Sequence, residues 1–306
     1  PTTSKPGRPR MCRTRRIVAA MPGIELFRGD ITARETLRAP MTGVQGVFHC
    51  AAWYQLGARD STPAHRTNVD GTRNVLQTMR GLGVPKGVYT STLAVFGDTH
   101  GRLVDESYRH DGPHLSVYDA TKWAAHYEVA LPMMRDGLPL VIVQPGVIYG
   151  PDDPTITGRT IERFLKRQLP MMPERTAYCF AHVDDTVEGH VLAMERGGAG
   201  ESYIIAGPPH TVVEMMAMVE KISGVPAPRM RAHPGLMRAL AKAMEVAGTI
   251  VPLPEIYHPE TLRSMGGATY IGDNAKARRE LGYAPRSLEE GLKEVVPHEM
   301  RRMRMA

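Results

Sequence analysis

Gly87-Val88-Tyr89-Thr90-Ser91-Thr92-Leu93-Ala94-Val95-Phe96-Gly97 is the stretch on which the fold reading turns. A short apolar run ends in three hydroxyl residues, then a loop that closes on glycine, the pattern of a buried strand leading into a loop. Upstream, Gly46-Val47-Phe48-His49-Cys50-Ala51-Ala52 is a second such run, ending in small residues that let a flat ligand approach the backbone. Ile24-Glu25-Leu26-Phe27-Arg28 is a third, ending in Gly29-Asp30, and Leu140-Val141-Ile142-Val143-Gln144-Pro145-Gly146 repeats the design downstream. Helix-length segments separate them, one predicted over 65–81. Strands alternating with helices predict parallel βαβ units. A hydroxyl at the carboxyl end of such a strand lies where open α/β sheets bind their ligands.

Between two of these strands runs Tyr118-Asp119-Ala120-Thr121-Lys122. The tyrosine and the lysine four positions on share one helix face. A phenol with an ordinary pKa of about 10 is a poor base at neutral pH. An ammonium one turn away favours the phenolate and is expected to lower that pKa, making Tyr118 a usable proton donor or acceptor. Lys122 also carries donors for a sugar hydroxyl. The same spacing arises by chance in many helices, so its weight comes from the strands around it.

Taken together, Gly29-Asp30, Phe48 to Ala52, Thr67 to Val75, Thr90 to Gly97, Tyr118 to Lys122, Gln144 to Pro151, His182-Val183-Asp184-Asp185 and Asp273 to Tyr283 resemble an extended short-chain dehydrogenase/reductase. The likeness is to the NAD-dependent epimerase/dehydratase family, in its dihydroflavonol-reductase-like and 3β-hydroxysteroid-dehydrogenase-like branch. The resemblance implies a Rossmann-like doubly wound parallel sheet with a smaller, mostly helical C-terminal substrate lobe, and NAD or NADP as cofactor. It also implies roles. Tyr118 exchanges the proton, Lys122 holds the ribose, Thr92 hydrogen-bonds the substrate oxygen with Ser91 as its competitor, and Asn68 helps hold the proton path. Asp30 and Ile31 would meet the adenine, while Ala51, Ala52, Thr90, Pro145, Gly146 and Val147 would lie along the cofactor. The implied domains are 24–150 with 177–206 for the dinucleotide, and 151–176 with 207–306 for the substrate.

One expected unit is not found: strand, Gly-x-x-Gly-x-x-Gly, helix, strand, which holds a pyrophosphate on a helix N-terminus. Residues 1–23 read instead as a basic flexible arm. The expectation is an N-terminally truncated sheet, a fragment of a longer product, in preference to residues 10–20 patching the gap. The arm also explains the formal charge of +6: six of the 38 Lys and Arg precede the first acid, Glu25, leaving 32 basic against 32 acidic residues. A neutral body argues against a nucleic-acid face. Three cysteines without paired spacing indicate a reducing compartment, read as cytoplasmic, and no apolar run reaches the length of a membrane span. A homodimer is one assembly open to such a chain.

Further signals are local. Thr32-Ala33-Arg34-Glu35 and Thr211-Val212-Val213-Glu214 are capping-box patterns, and Ser287-Leu288-Glu289-Glu290 begins the last helix. Methionine stripes after residue 211 read as core. His182 and Asp184 are spaced as metal ligands could be, but without an evident third ligand they read as structural, and no metal is expected. Three functions are weighed. The first is an oxidoreductase interconverting a secondary alcohol and a ketone on a small-molecule substrate, favoured by the apolar stretch 230–265. The second is a nucleotide-sugar epimerase or dehydratase, kept open by Arg159, Arg163 and Lys166 but disfavoured, as a dehydratase, by Leu93-Ala94 where acids are expected. The third is a non-catalytic remnant without its phosphate loop.

Overall fold

The computed structural model describes residues 21–55, 60–248, 251, 253 and 257–305. The strands are β1 (Val47–His49), β2 (Gly87–Thr90), β3 (Leu140–Pro145), β4 (Val147–Tyr149), β5 (Met172–Pro173), β6 (Ala177–His182), β7 (Ser202–Ile205), β8 (Pro209–Thr211), β9 (Arg231–Ala232) and β10 (Thr269–Tyr270). The main sheet is parallel throughout, in the order β1-β2-β3-β7. Every residue of β3 is buried, as a continuous apolar run must be when helices cover both faces of a parallel sheet.

Alternation along the strands decides what each face packs against. Tyr89, Leu140 and Ile142 point to one side. There they meet Val75, Leu76 and Met79 of helix α1 (residues 62–82) and Ala125, Val129 and Ala130 of helix α2 (residues 117–135). Val88, Val141, Val143, Tyr203 and Ile205 point to the other. Their partners are Leu192 and Ala193 of the helix Val183–Arg196, with Ala277 and Leu281 of the helix Ala275–Leu281. The expected Rossmann-like, doubly wound arrangement is present. Both α1 and α2 carry a π-helical stretch, at Arg66–Gly71 and Ala125–Ala130, an irregularity frequent near functional sites.

A second sheet sets β6 between β4 and β10, all parallel, with β8 antiparallel to β6. Its core joins Tyr149 and Phe180 to Ile161 and Phe164, to Met215, Met216 and Val219, and to Leu292, Val295 and Val296. The methionines after residue 211 are therefore partly core, as expected. The capping box at Thr211–Glu214 forms with both of its hydrogen bonds, and so does the one at Ser287–Glu290. No helix among the described residues is long and apolar enough to cross a membrane.

Two expectations are corrected upstream. Ile24–Arg28 is not a strand: Ile24, Leu26 and Phe27 are 44, 43 and 51% exposed, and the segment has no ladder partner among the described residues. A strand exists only through its neighbour's backbone, and among the described residues β1 pairs with β2 alone. The capping box at Thr32–Glu35 also fails to form. Asp30 Oδ1 accepts from the Thr32 amide at 2.8 Å, an Asx turn that competes with a cap, and the helical turn starts only at Arg34 with no side-chain cap. Most of the basic arm expected over 1–23, and any patch from residues 10–20, lie outside the described residues.

Candidate active site

Helix α2 opens with Ser116, whose hydroxyl accepts from the Asp119 amide at 3.1 Å. That cap places Tyr118 in the first turn, half-buried, with the Tyr54 ring edge-on at 4.8 Å. Strand β2 delivers Ser91 and Thr92 to the same place. Thr92 continues in extended backbone, and its hydroxyl accepts from the Ala94 amide at 3.2 Å, capping the turn Leu93–Phe96. The Ser91 hydroxyl points elsewhere, into a buried 2.7 Å hydrogen bond with His126 Nδ1. Thr92 and Tyr118 both line a cavity of about 310 Å³, along with Gly146 and Val147, whereas Ser91 does not. Among the described residues the rest of the lining is mostly apolar or aromatic, including Phe180, Val212, Met215, Met216 and Met265, and contains no Lys, Arg or His.

The electrostatics differ from the expectation. Burial pushes the Tyr118 phenol above its ordinary value, Tyr54 adds to that, and the Thr92 hydroxyl opposes it by hydrogen-bonding toward the charged form. The predicted lowering by Lys122 is not found. Lys122 is 3% exposed; its Nζ donates to Thr90 O at 2.8 Å and Tyr89 Oη at 3.2 Å and lies 4.8 Å from the Tyr89 ring centroid. Burial pulls its own pKa down to about 7, opposed only weakly by the Cys50 thiol. Burial, reinforced by Lys122, likewise holds His49 and His126 at about 3. Both imidazoles are therefore neutral at pH 7, and the charge of Lys122 acts on them and not on Tyr118.

The other expected site residues divide into those at the strand ends and those elsewhere. Thr90 ends β2 and hydrogen-bonds His190 Nε2 at 2.8 Å, while Ala51 and Ala52 follow β1 in an exposed loop. Pro145 ends β3, and Gly146 packs so closely that an added Cβ would stand 1.9 Å from Cys179 O. Asn68 sits in the π-helical stretch of α1. Its side chain accepts from Trp53 N at 2.7 Å and donates to Trp53 O at 3.1 Å and Thr121 Oγ1 at 2.9 Å. It therefore clamps the loop after β1 onto α2 rather than touching Tyr118 or Lys122. Asp30 is exposed, and Ile31 leans on α1 through its carbonyl, which accepts from Asn74 at 2.9 Å; neither lines the cavity.

These strand ends fit the nicotinamide-ribose end of a dinucleotide. Lys122 has used two of its three N–H donors, and small residues wall the approach from β1 and β3. Among the described residues no glycine-rich strand-to-helix turn is present for a pyrophosphate. The metal question also gains a residue, since Glu294 joins His182 and Asp184 within 4.8 Å. The Arg286 guanidinium lies 3.7 Å from Asp184 and 3.1 Å from Glu294, so a cation already stands beside both carboxylates of that group. Sequence reading missed Tyr54, Asp119, Tyr178 and Tyr270 in the cavity wall. Only Asp119, inside the Tyr118–Lys122 motif, carried a signal.

Comparison with known proteins agrees with this geometry. Residues 4–206 match the profile of the NAD dependent epimerase/dehydratase family. The chain is 34% identical over 279 residues to a putative dihydroflavonol 4-reductase of Synechocystis sp., covering 88% of this chain and 79% of that protein. It is 30% identical over 293 residues to sterol demethylase protein B of Methylococcus capsulatus, covering 91% and 86%. The crystal structure of gox2253 superposes with a TM-score of 0.81 at 32% identity, over 96% of this chain and 89% of the other. With two thirds of its length matched by the family profile and its sheet built as the family's, this chain belongs to the NAD dependent epimerase/dehydratase family, an enzyme family of the extended short-chain dehydrogenase/reductase type.

Proposed function

We propose that the protein is an NAD(P)(H)-dependent oxidoreductase that interconverts a secondary alcohol and a ketone on an apolar small molecule, with Tyr118 exchanging the proton. The observation that carries this reading is the meeting of the Tyr118 and Thr92 side chains in the wall of a cavity with no basic residue among the described ones. The bound nicotinamide supplies or accepts the hydride. Tyr118, its pKa raised by burial, is protonated at neutral pH and stands ready as the acid in ketone reduction. Thr92 supplies a second hydrogen bond to the substrate oxygen, and Ser91, held by His126, does not compete. Lys122, anchored on Thr90 and Tyr89, presents its remaining N–H to the ribose. Ala51, Ala52, Thr90, Pro145, Gly146 and Val147 line the cofactor, Asp30 and Ile31 serve its adenine end, and Asn68 fixes the loop between them. Residues 151–176 and 207–306 form the substrate lobe. The relatives named as a reductase and a sterol-modifying protein support an apolar substrate.

A nucleotide-sugar reading needs cations for a diphosphate. Arg159, Arg163 and Lys166 do not line the cavity, and Lys166 is paired with Glu162, which favours the oxidoreductase. The test follows NADH or NADPH absorbance with 2-heptanone and larger apolar ketones, in parallel with UDP-glucose epimerisation. Turnover of the ketones alone supports the reading, and turnover of the sugar nucleotide with inert ketones overturns it.

A further inference from the structure

Among the described residues of the cavity wall one carboxylate, Asp119, stands next to the proposed acid. Asp119 follows Tyr118 in the first turn of α2, about 100° further around the helix, and both line the cavity. It is 5% exposed. Its Oδ2 accepts from the Tyr270 hydroxyl at 3.0 Å, and Tyr270 stacks on Tyr178 at 5.9 Å with an interplanar angle of 19°. Asp119, Tyr178 and Tyr270 all line the cavity, together with Tyr54 and Tyr118.

We infer that Asp119 determines substrate specificity: with Tyr270 it forms a polar anchor in the cavity wall that receives a hydrogen-bond donor of the substrate, a hydroxyl or a protonated amine, and rejects carboxylates and phosphates. This rests on the reading of the cavity as the substrate site. Among the described residues no cation acts on the Asp119 carboxyl. The ionisable groups around it are Tyr118, Tyr178, Tyr270 and Glu260, the last 8% exposed and accepting from the Val117 amide at 3.0 Å. Burial raises the Asp119 pKa to about 6, Glu260 adds to the rise, and hydrogen bonds from Ser116 and Tyr270 restrain it. At neutral pH the group is therefore a carboxylate in apolar surroundings. A carboxylate accepts about four hydrogen bonds, and Ser116 and Tyr270 supply two. A ligand donor placed there gains a charge-assisted bond; a ligand anion meets like charge in a medium that screens poorly. A purely structural Asp119, tying α2 to β10 or favouring the helix N-terminus, would leave ligand choice untouched.

The test measures binding to the full chain by titration calorimetry, with four seven-carbon methyl ketones: 2-heptanone, 7-hydroxy-2-heptanone, 7-amino-2-heptanone and 6-oxoheptanoate. At about pH 8 the hydroxy and amino ketones should bind at least about tenfold more tightly than 6-oxoheptanoate, and the gap should close toward pH 5 as the carboxyl protonates. Asp119→Asn should erase the gap. Tyr270→Phe, which removes one stabilising hydrogen bond, should keep the gap and move its closing point to higher pH, so the idea stays testable if the first variant misfolds. Equal binding of 6-oxoheptanoate and 7-hydroxy-2-heptanone, binding of none of the four, or a gap that survives Asp119→Asn would each overturn it. Selective binding without cofactor oxidation would leave the anchor standing and remove the redox reading; unselective binding with turnover would do the reverse.

Discussion

Replacing Lys122 with methionine should make the cofactor-free protein more stable at neutral pH. The lysine is 3% exposed, faces no carboxylate among the described residues, and has its pKa pulled from 10.5 to about 7. At about 1.4 kcal/mol per pKa unit, the native state carries a penalty of roughly 5 kcal/mol for the charged form. The folded pKa lies below the unfolded one, so the unfolded chain binds more protons between about pH 7 and 10.5. The penalty is full below about pH 7 and is relieved as pH rises toward 10.5. Methionine, unbranched and of similar length, removes the charge but also the hydrogen bonds to Thr90 O and Tyr89 Oη, worth about 1 kcal/mol each. The net gain should be on the order of 2–3 kcal/mol at pH 7, narrowing as pH rises. Urea unfolding of parent and variant from about pH 7 to 9.5 reads it, since the difference between the two cancels every other titration. A variant no more stable than the parent, with a difference flat in pH, would refute the argument. A cation kept at such a cost belongs to function, and the same variant should also bind NADH or NADPH more weakly.

The neighbouring hydroxyls and one buried ion pair give further expectations. Thr92→Val should lower ketone reduction by about tenfold or more, while Ser91→Ala, which cuts only the bond to His126, should lower it less; the reverse order moves the role to Ser91. Arg286→Gln should strip the guanidinium from Asp185, whose side chain is 8% exposed. Arg286 is itself 30% exposed, so the loss should fall between that of an exposed and a buried pair, about 2 kcal/mol. A thermal midpoint unchanged by that substitution would show that the pair contributes nothing.

Much of the sheet was legible because buried parallel strands write themselves as continuous apolar runs, as Gly87–Thr90 and Leu140–Pro145 did, and the edge strand Val47–His49 carried a shorter run of the same kind. Ile24–Arg28 misled because an apolar run states a capacity for pairing, whereas pairing depends on a neighbour outside the run. Thr32–Glu35 misled because Asp30, two residues earlier, captured the amide that a cap would need. At the site, the spacing of Tyr118 and Lys122 placed both on α2, and the hydroxyl run placed Thr92 beside the phenol. The direction of the phenol's pKa was not legible. It depends first on burial of the phenol and then on Tyr54, 64 positions earlier in the chain, while Lys122 turns to Tyr89 and Thr90, contacts that no local pattern records. Asp119 stood in the quoted motif, but its meaning lies in Tyr270, which folding brings to it from 151 positions away.

The central proposal, that the Tyr118 hydroxyl carries the proton of a ketone–alcohol interconversion, is tested most directly by Tyr118→Phe. The measurement is kcat/KM for NADH- or NADPH-dependent reduction of an accepted apolar ketone, with thermal midpoint and cofactor affinity recorded on the same protein. A fall of about 10²–10⁴ in rate, with fold and cofactor binding intact, is the predicted result; a variant that reduces the ketone at the parent's rate would contradict it.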